Sequence, residues 1–169
     1  MITLTLNAGA KEKKLLPPAL LKKISAHLST ALDFEKKSAE ATIAFVSAKT
    51  IQSLNHDFRG KKKTTNVLSF PQFTPAELKK LKPTKQQTIY LGDIILCDAV
   101  IRKEALTLKK PGNHHLIHLV VHSVLHLLGY DHMKAEKAKR METLEKAILS
   151  GLGISDPYVI DVPKQKNKR

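Results

Sequence analysis

The stretch LIHLVVHSVLHLLGYDH, residues 116–132, decides how this chain folds. Leu116, Ile117, Val120, Val121, Val124, Leu125 and Leu128 recur at helical spacing in a stripe too wide for a surface helix. The segment is therefore predicted to be a central helix, buried against other elements on more than one side. Residues four apart on a helix are separated by about 6 Å of rise and about 40° of rotation, so His122 and His126 project from one face and can share an ion. Gly129 accepts the left-handed conformation that ends a helix, which lets the chain turn after Leu128 and bring His132 back towards that pair. A catalytic zinc takes about three protein ligands and keeps a fourth position open. The predicted metal site is one zinc ion on His122, His126 and His132.

The spacing H-x-x-x-H-x-x-G-x-x-H is that of metzincin peptidases without their glutamate, because Ser123 stands where those enzymes place the general base. Serine cannot replace a carboxylate as proton acceptor. Peptide cleavage is thus the weaker reading, and metal-assisted hydrolysis of another bond the stronger. His118, and His114 and His115 just before the stretch, belong to the same helix. A rival set of His118, His122 and His126 fails on distance, since its outer members are about 12 Å apart on a straight helix and bonds to one ion are about 2.1 Å long. Asp131 has two readings of equal weight, a carboxylate orienting a ligand imidazole or a cap on its own turn.

A chain of 169 residues suffices for one domain with a core that needs no disulfide. The single cysteine, Cys97, ends the apolar run IIL and reads as a buried small hydrophobe in a reducing compartment. MITLTLNAGA lacks a basic start and a long apolar stretch, so it is read as a strand, not a secretory signal, and no segment is apolar and long enough to span a bilayer. The expectation is a soluble cytoplasmic protein. Charge adds the second clue: 29 Lys and Arg against 15 Asp and Glu give +14, which favours a polyanion, nucleic acid first. Between His56 and Lys85, Arg59, Lys61, Lys62, Lys63, Lys79, Lys80, Lys82 and Lys85 face only Asp57 and Glu77. With a hydrolytic metal site this points to phosphodiester chemistry. No aromatic-rich run accompanies the charge, so backbone phosphates are expected to dominate binding.

Working outward, PPALLKKISAHLSTALDF carries Leu20, Leu21, Ile24, Leu28 and Leu32 on one helical face, and ATIAFVS reads as a strand. Ser47 caps a short helix bearing Ile51, Leu54 and Phe58, RGKKKTTN is a basic loop, and VLSF is a short strand. Thr74 to Glu77 form a capping box that starts a small helix ending before Pro83, an insertion placed to act as a lid or an RNA-facing flap. TIYLGDIILC is the strongest strand, followed by a helix capped by Asp98 and broken at Pro111 and Gly112. A last helix carries Ala138, Met141, Leu144, Glu145 and Ile148 and ends at Gly151. The predicted fold class is α+β, a small mixed sheet covered by helices around a central histidine-bearing helix in a zincin-like arrangement. Residues 1–155 form a single metal-dependent hydrolase domain and 156–169 a polar basic C-terminal tail without fixed structure.

LNHDFRGKKKTTNVLSFP, YLGDI, HLVVHSVLHLLGYDH and LGISDPY occur in this order, and together they resemble the YbeY family of bacterial endoribonucleases over most of the chain. The family usually has glycine where this chain has Ser123. The resemblance implies a single-strand-specific, metal-dependent endoribonuclease acting in ribosomal RNA maturation, notably at the 3′ end of the small-subunit RNA, and in ribosome quality control. It implies RNA, ribosomes or small-subunit assembly factors as partners. By position, His122, His126 and His132 match the family's zinc ligands, Arg59 an arginine needed for activity, and Asp93 a family position with a role in partner contact or site support. A guanidinium fork suits Arg59 to hold a phosphate. The competing reading is a non-catalytic RNA-binding ribosome assembly factor with a structural zinc. Base, product ends, RNA sequence preference and oligomeric state are left open.

Overall fold

The structure is a computed structural model and describes residues 1–159. Eleven elements follow one another: β1 (Ile2–Asn7), α1 (Ala10–Leu15), α2 (Pro18–Ala31), β2 (Ala39–Phe45), α3 (Ala48–Arg59), β3 (Val67–Pro71), α4 (Pro75–Lys80), β4 (Ile89–Leu96), α5 (Asp98–Thr107), α6 (Gly112–Leu127) and α7 (Ala135–Gly151). The four strands form one sheet in the order β1-β2-β4-β3. β1 and β4 run parallel to β2, while β3 runs antiparallel to β4 at one edge. The α+β class and the mixed sheet are as the sequence predicts. The short α1 is an addition: its first turn holds Glu12, and Pro17 stops further helix before α2 begins at Pro18.

Alternation along the strands divides the apolar residues between two faces. Ile2, Leu4, Ala41, Ile43, Ile94 and Leu96 join α2, α6 and α7 in the large core, and the residues predicted for the central stripe of α6 are buried there, apart from the half-buried Leu128. Leu68 points to the other side, where it meets Ile51 of α3 and Cys97 in a small second cluster. Cys97 is free and fully buried, as its apolar setting predicts. It also occupies the N-cap of α5 through its backbone, so Asp98 is the first helical residue, not the cap, and its carboxylate accepts from Arg102 instead.

Two predicted local signals take their expected form. Ser47 accepts from the Thr50 amide at the start of α3, and Thr74 with Glu77 closes a capping box in which each side chain bonds the other's backbone amide. The LGD segment lies inside β4. β4 shifts register against β2 after Glu40, and Gly92 sits there at φ +129°, where a Cβ would fall 2.1 Å from the Phe70 carbonyl oxygen. Only glycine fits so close a backbone approach. Asp93 follows the shift, and its carboxylate accepts from the Tyr90 hydroxyl at 2.6 Å. No helix among the described residues is long and apolar enough to cross a membrane.

Candidate metal centre

α6 packs across β3 and β4 and against α7, which fixes its roll about its own axis. His122 and His126 then share one face, one turn apart. Gly129 has φ +82°, and its amide donates to the His126 carbonyl at 2.9 Å, while the Tyr130 amide returns to the Leu125 carbonyl at 3.0 Å. A Cβ at Gly129 would touch Pro75 and Leu78 of α4, so the turn is also packed beneath that short helix. Beyond it, Asp131 accepts from the Met133 amide at 3.1 Å and from Lys137 at 2.6 Å. Of the two readings of Asp131, the turn cap is the one seen. These bonds carry His132 back: its ring lies 5.7 Å from that of His122 and 5.1 Å from that of His126, centroid to centroid.

The three predicted imidazoles therefore converge, and each offers a nitrogen within 4.8 Å of the others. His122 Nδ1 is 2.6 Å from Oε1 of Glu145, and His126 Nδ1 is 3.0 Å from the Tyr130 carbonyl oxygen. Both partners are acceptors, so each Nδ1 carries the proton and each Nε2 presents a lone pair. Those two Nε2 atoms face one another at 3.0 Å. Two bare lone pairs at that distance repel unless a cation lies between or beside them. Tetrahedral zinc with bonds of about 2.1 Å holds its nitrogen ligands about 3.4 Å apart, so the donor set fits such an ion after a small opening. Burial first, then the neighbouring His122 and His132, pushes the His126 imidazole down to about 4, against the bond to Tyr130; Arg59 adds to the lowering. A ligand so disposed stays neutral and available well below neutral pH.

Glu145 of α7 is the residue that sequence reasoning missed in this role. It is fully buried. Besides His122 it meets His118 Nε2 at 3.4 Å and accepts from the Tyr158 hydroxyl. Burial pushes its pKa up, but the bonds from His118, His122 and Tyr158 outweigh burial and hold the carboxyl well below its usual range. Burial and the Glu145 carboxylate push the Tyr158 phenol well above its usual range, so it stays protonated and donates. His118, His122 and Glu145 also lie close enough to hold an ion by distance alone. The 2.6 Å contact between Glu145 and His122 leaves no room for one between them, so this group is read as support for His122. The signal for Glu145 was a carboxylate inside the apolar stripe Met141, Leu144, Ile148.

Tyr158 reaches Glu145 because the segment after α7 folds back. Lys110 donates to the Pro157 carbonyl, and Lys146 pairs with Asp156 at 3.1 Å. Asp156 to Val159, the first residues of the predicted tail, are thus placed against the domain, while 160–169 lie outside the described residues.

Arg59 ends α3 and is exposed. Gly60, left-handed at φ +67°, terminates the helix there. The following loop is tied to α3: Lys61 N donates to the Asn55 carbonyl at 3.2 Å, Gln52 Nε2 to the Lys62 carbonyl at 3.3 Å, and buried Asn55 Nδ2 to the Lys63 carbonyl at 2.8 Å. A second network fixes the start of β3, with Asn66 Nδ2 and His115 Nε2 each 2.8 Å from Oε2 of Glu104. Ser123, beside His122, is fully buried, and its hydroxyl has no hydrogen-bond partner among the described residues.

A family model described as Endoribonuclease YbeY matches residues 7–153. The Endoribonuclease YbeY of Sinorhizobium medicae is 45% identical over 122 residues, covering 72% of this chain and 69% of that protein. That of Alkalilimnicola ehrlichii is 53% identical over 108 residues, covering 64% and 61%. Among solved structures, a Thermotoga maritima protein determined in solution superposes with a TM-score of 0.55 at 24% identity, covering 94% of this chain and 99% of that one; the likeness is one of fold.

Proposed function

Because the chain belongs to the YbeY family of endoribonucleases, we propose that it is a single-strand-specific endoribonuclease that cuts ribosomal RNA precursors, notably near the 3′ end of the small-subunit RNA. In this reading His122, His126 and His132 hold one zinc ion, and Arg59 holds the scissile phosphate. The observation that carries the ligand set is the pair of Nε2 lone pairs facing at 3.0 Å, with both Nδ1 positions committed to acceptors. An all-imidazole set backed by a carboxylate suits zinc. When bound, the ion supplies a Lewis acid for a phosphoryl oxygen and lowers the pKa of a water.

The protein's own residues do the rest. Glu145 keeps the Nδ1 proton on His122, and the Tyr130 carbonyl keeps it on His126, so that both rings present their other nitrogen in a fixed direction. Arg59, permanently charged, brings a planar fork of donors to phosphate oxygens and offsets charge that builds there during cleavage. A structural zinc site is closed by four protein ligands, whereas this cluster, among the described residues, offers three. That favours the enzyme over a non-catalytic assembly factor.

The test is cleavage of an end-labelled single-stranded RNA by the purified protein beside His122→Ala and Arg59→Glu, with metal content measured on each. His122→Ala is expected to lose both metal and cleavage, and Arg59→Glu to lose cleavage while keeping the metal. Equal cutting by all three samples would assign the activity to a contaminant, and retained activity in Arg59→Glu would remove that residue from the site.

A further inference from the structure

Phe58 is the residue before Arg59, and its side chain stands out of the protein at 66% exposure. It is nonetheless held in place. The Phe70 ring of β3 meets it edge to face, with centroids 5.0 Å apart and planes at 77°. The chain reads as having no aromatic-rich run, and indeed this pair is assembled from two elements that only the fold brings together. Directly after Phe58 in the chain come Arg59, Lys61, Lys62 and Lys63, all exposed. Among the described residues none of the four joins a salt bridge. Their backbone is pinned by Gln52, Asn55 and the left-handed Gly60, so the patch is a fixed surface.

We propose that Phe58 is a base-stacking subsite, on which an unpaired RNA base next to the scissile phosphate lies flat while Arg59 and the lysines take the neighbouring phosphates. The inference rests on the endoribonuclease reading above. An exposed ring next in the chain to exposed cations is the combination that binds single-stranded nucleic acid, since every base has a face to stack and every linkage a charge to neutralise. The ring is one residue from Arg59, read above as the holder of the scissile phosphate, so a base seated there has its phosphate within reach of that guanidinium. A base inside a duplex has both faces covered by its neighbours and cannot occupy the subsite. Preference for single strands then follows from the same ring.

The experiment is single-turnover cleavage of a short end-labelled single-stranded RNA at rising protein concentration, for the wild type, Phe58→Ala, Phe58→Leu and Phe58→Trp. Stacking predicts that Phe58→Ala raises the half-saturating concentration about 5- to 100-fold with little change in the maximal rate. Phe58→Leu, which keeps apolar bulk without a ring, should lose as much, and Phe58→Trp should recover. In a set of RNAs each lacking the base at one position, one position should erase the difference between wild type and Phe58→Ala. Phe58→Leu cutting like wild type, or no position erasing the difference, overturns the subsite while leaving the enzyme. A wild type that cuts no RNA overturns the endoribonuclease reading and the subsite with it. Thermal midpoints identify any variant that fails to fold, and Phe58→Leu, the mildest, then decides.

Discussion

Behind His122, Glu145 is fully buried and bonded to His118, His122 and Tyr158; at the end of α3, Arg59, Lys61, Lys62 and Lys63 are exposed and, among the described residues, without carboxylate partners. The difference separates two tasks. A metal ligand must be held to a fraction of an ångström, which takes buried hydrogen bonds from several elements. A long flexible polyanion needs charge that is free to meet it, and intramolecular partners would cancel that charge. Geometry is stored in one region and affinity in the other.

If that division holds, the largest effect comes from the buried side. Glu145→Gln keeps the shape of the side chain and removes its charge, so His122 loses the carboxylate that fixes its ring. Metal affinity should fall about 10- to 100-fold, read by competition with a chromogenic chelator. RNA affinity of the metal-saturated protein should hardly change. Unchanged metal affinity would mean that Glu145 is only a core residue.

The exposed side gives a different signature. Replacing Lys61, Lys62 and Lys63 together by glutamine should weaken RNA binding about tenfold at moderate salt. The slope of log affinity against log salt should become shallower by about 2, at about 0.7 for each single-strand phosphate contact. Metal affinity and thermal midpoint should stay where they are, because these side chains are solvated in the free protein. An unchanged salt slope would show that the loop faces away from the RNA.

How much of each region was legible follows from the range of its interactions. His122, His126, Gly129 and His132 form a local pattern, with both the shared face and the turn inside one stretch, and the same is true of the Thr74 capping box. Glu145 is 23 residues from its partner His122 and looked like one more position on an apolar stripe. Tyr158 is brought to it by contacts from Lys110, in the loop between α5 and α6, and from Lys146 of α7 to the residues just before it. Asp131 was evenly balanced on paper because one carboxylate suits both roles; Lys137 and the Met133 amide decide between them. The basic run is plain in sequence, but that its backbone is pinned to α3 through buried Asn55 is not.

A third way to sharpen the comparison is acid. His126 takes its proton at about 4 in the folded protein, against 6.5 ordinarily, chiefly because it is buried. The unfolded chain therefore binds a proton that the fold refuses. The stability this contributes to chelator-treated protein is complete above about pH 6.5 and is lost as pH falls towards 4. The full shift corresponds to about 3 kcal/mol, which partial solvent screening reduces to about 1–2 kcal/mol. Urea unfolding at a series of pH values should show the decline, and His126→Gln should flatten it.

The smallest effect expected lies at Ser123, beside the ligands, whose buried hydroxyl has no hydrogen-bond partner among the described residues. A buried hydroxyl without a partner costs roughly 1–3 kcal/mol of lost solvation. Ser123→Ala removes that cost and places the best helix former in the middle of α6, so unfolding should require about 1 kcal/mol more. Ser123→Gly removes the same hydroxyl but gives back about 1 kcal/mol in helix propensity, and should come out close to neutral. Urea midpoints at constant slope distinguish the two. In neither variant should metal affinity move, since Ser123 bonds neither His122 nor Glu145. If Ser123→Ala destabilises the protein, the hydroxyl is paired in solution, and the buried side is as completely bonded at Ser123 as it is at Glu145.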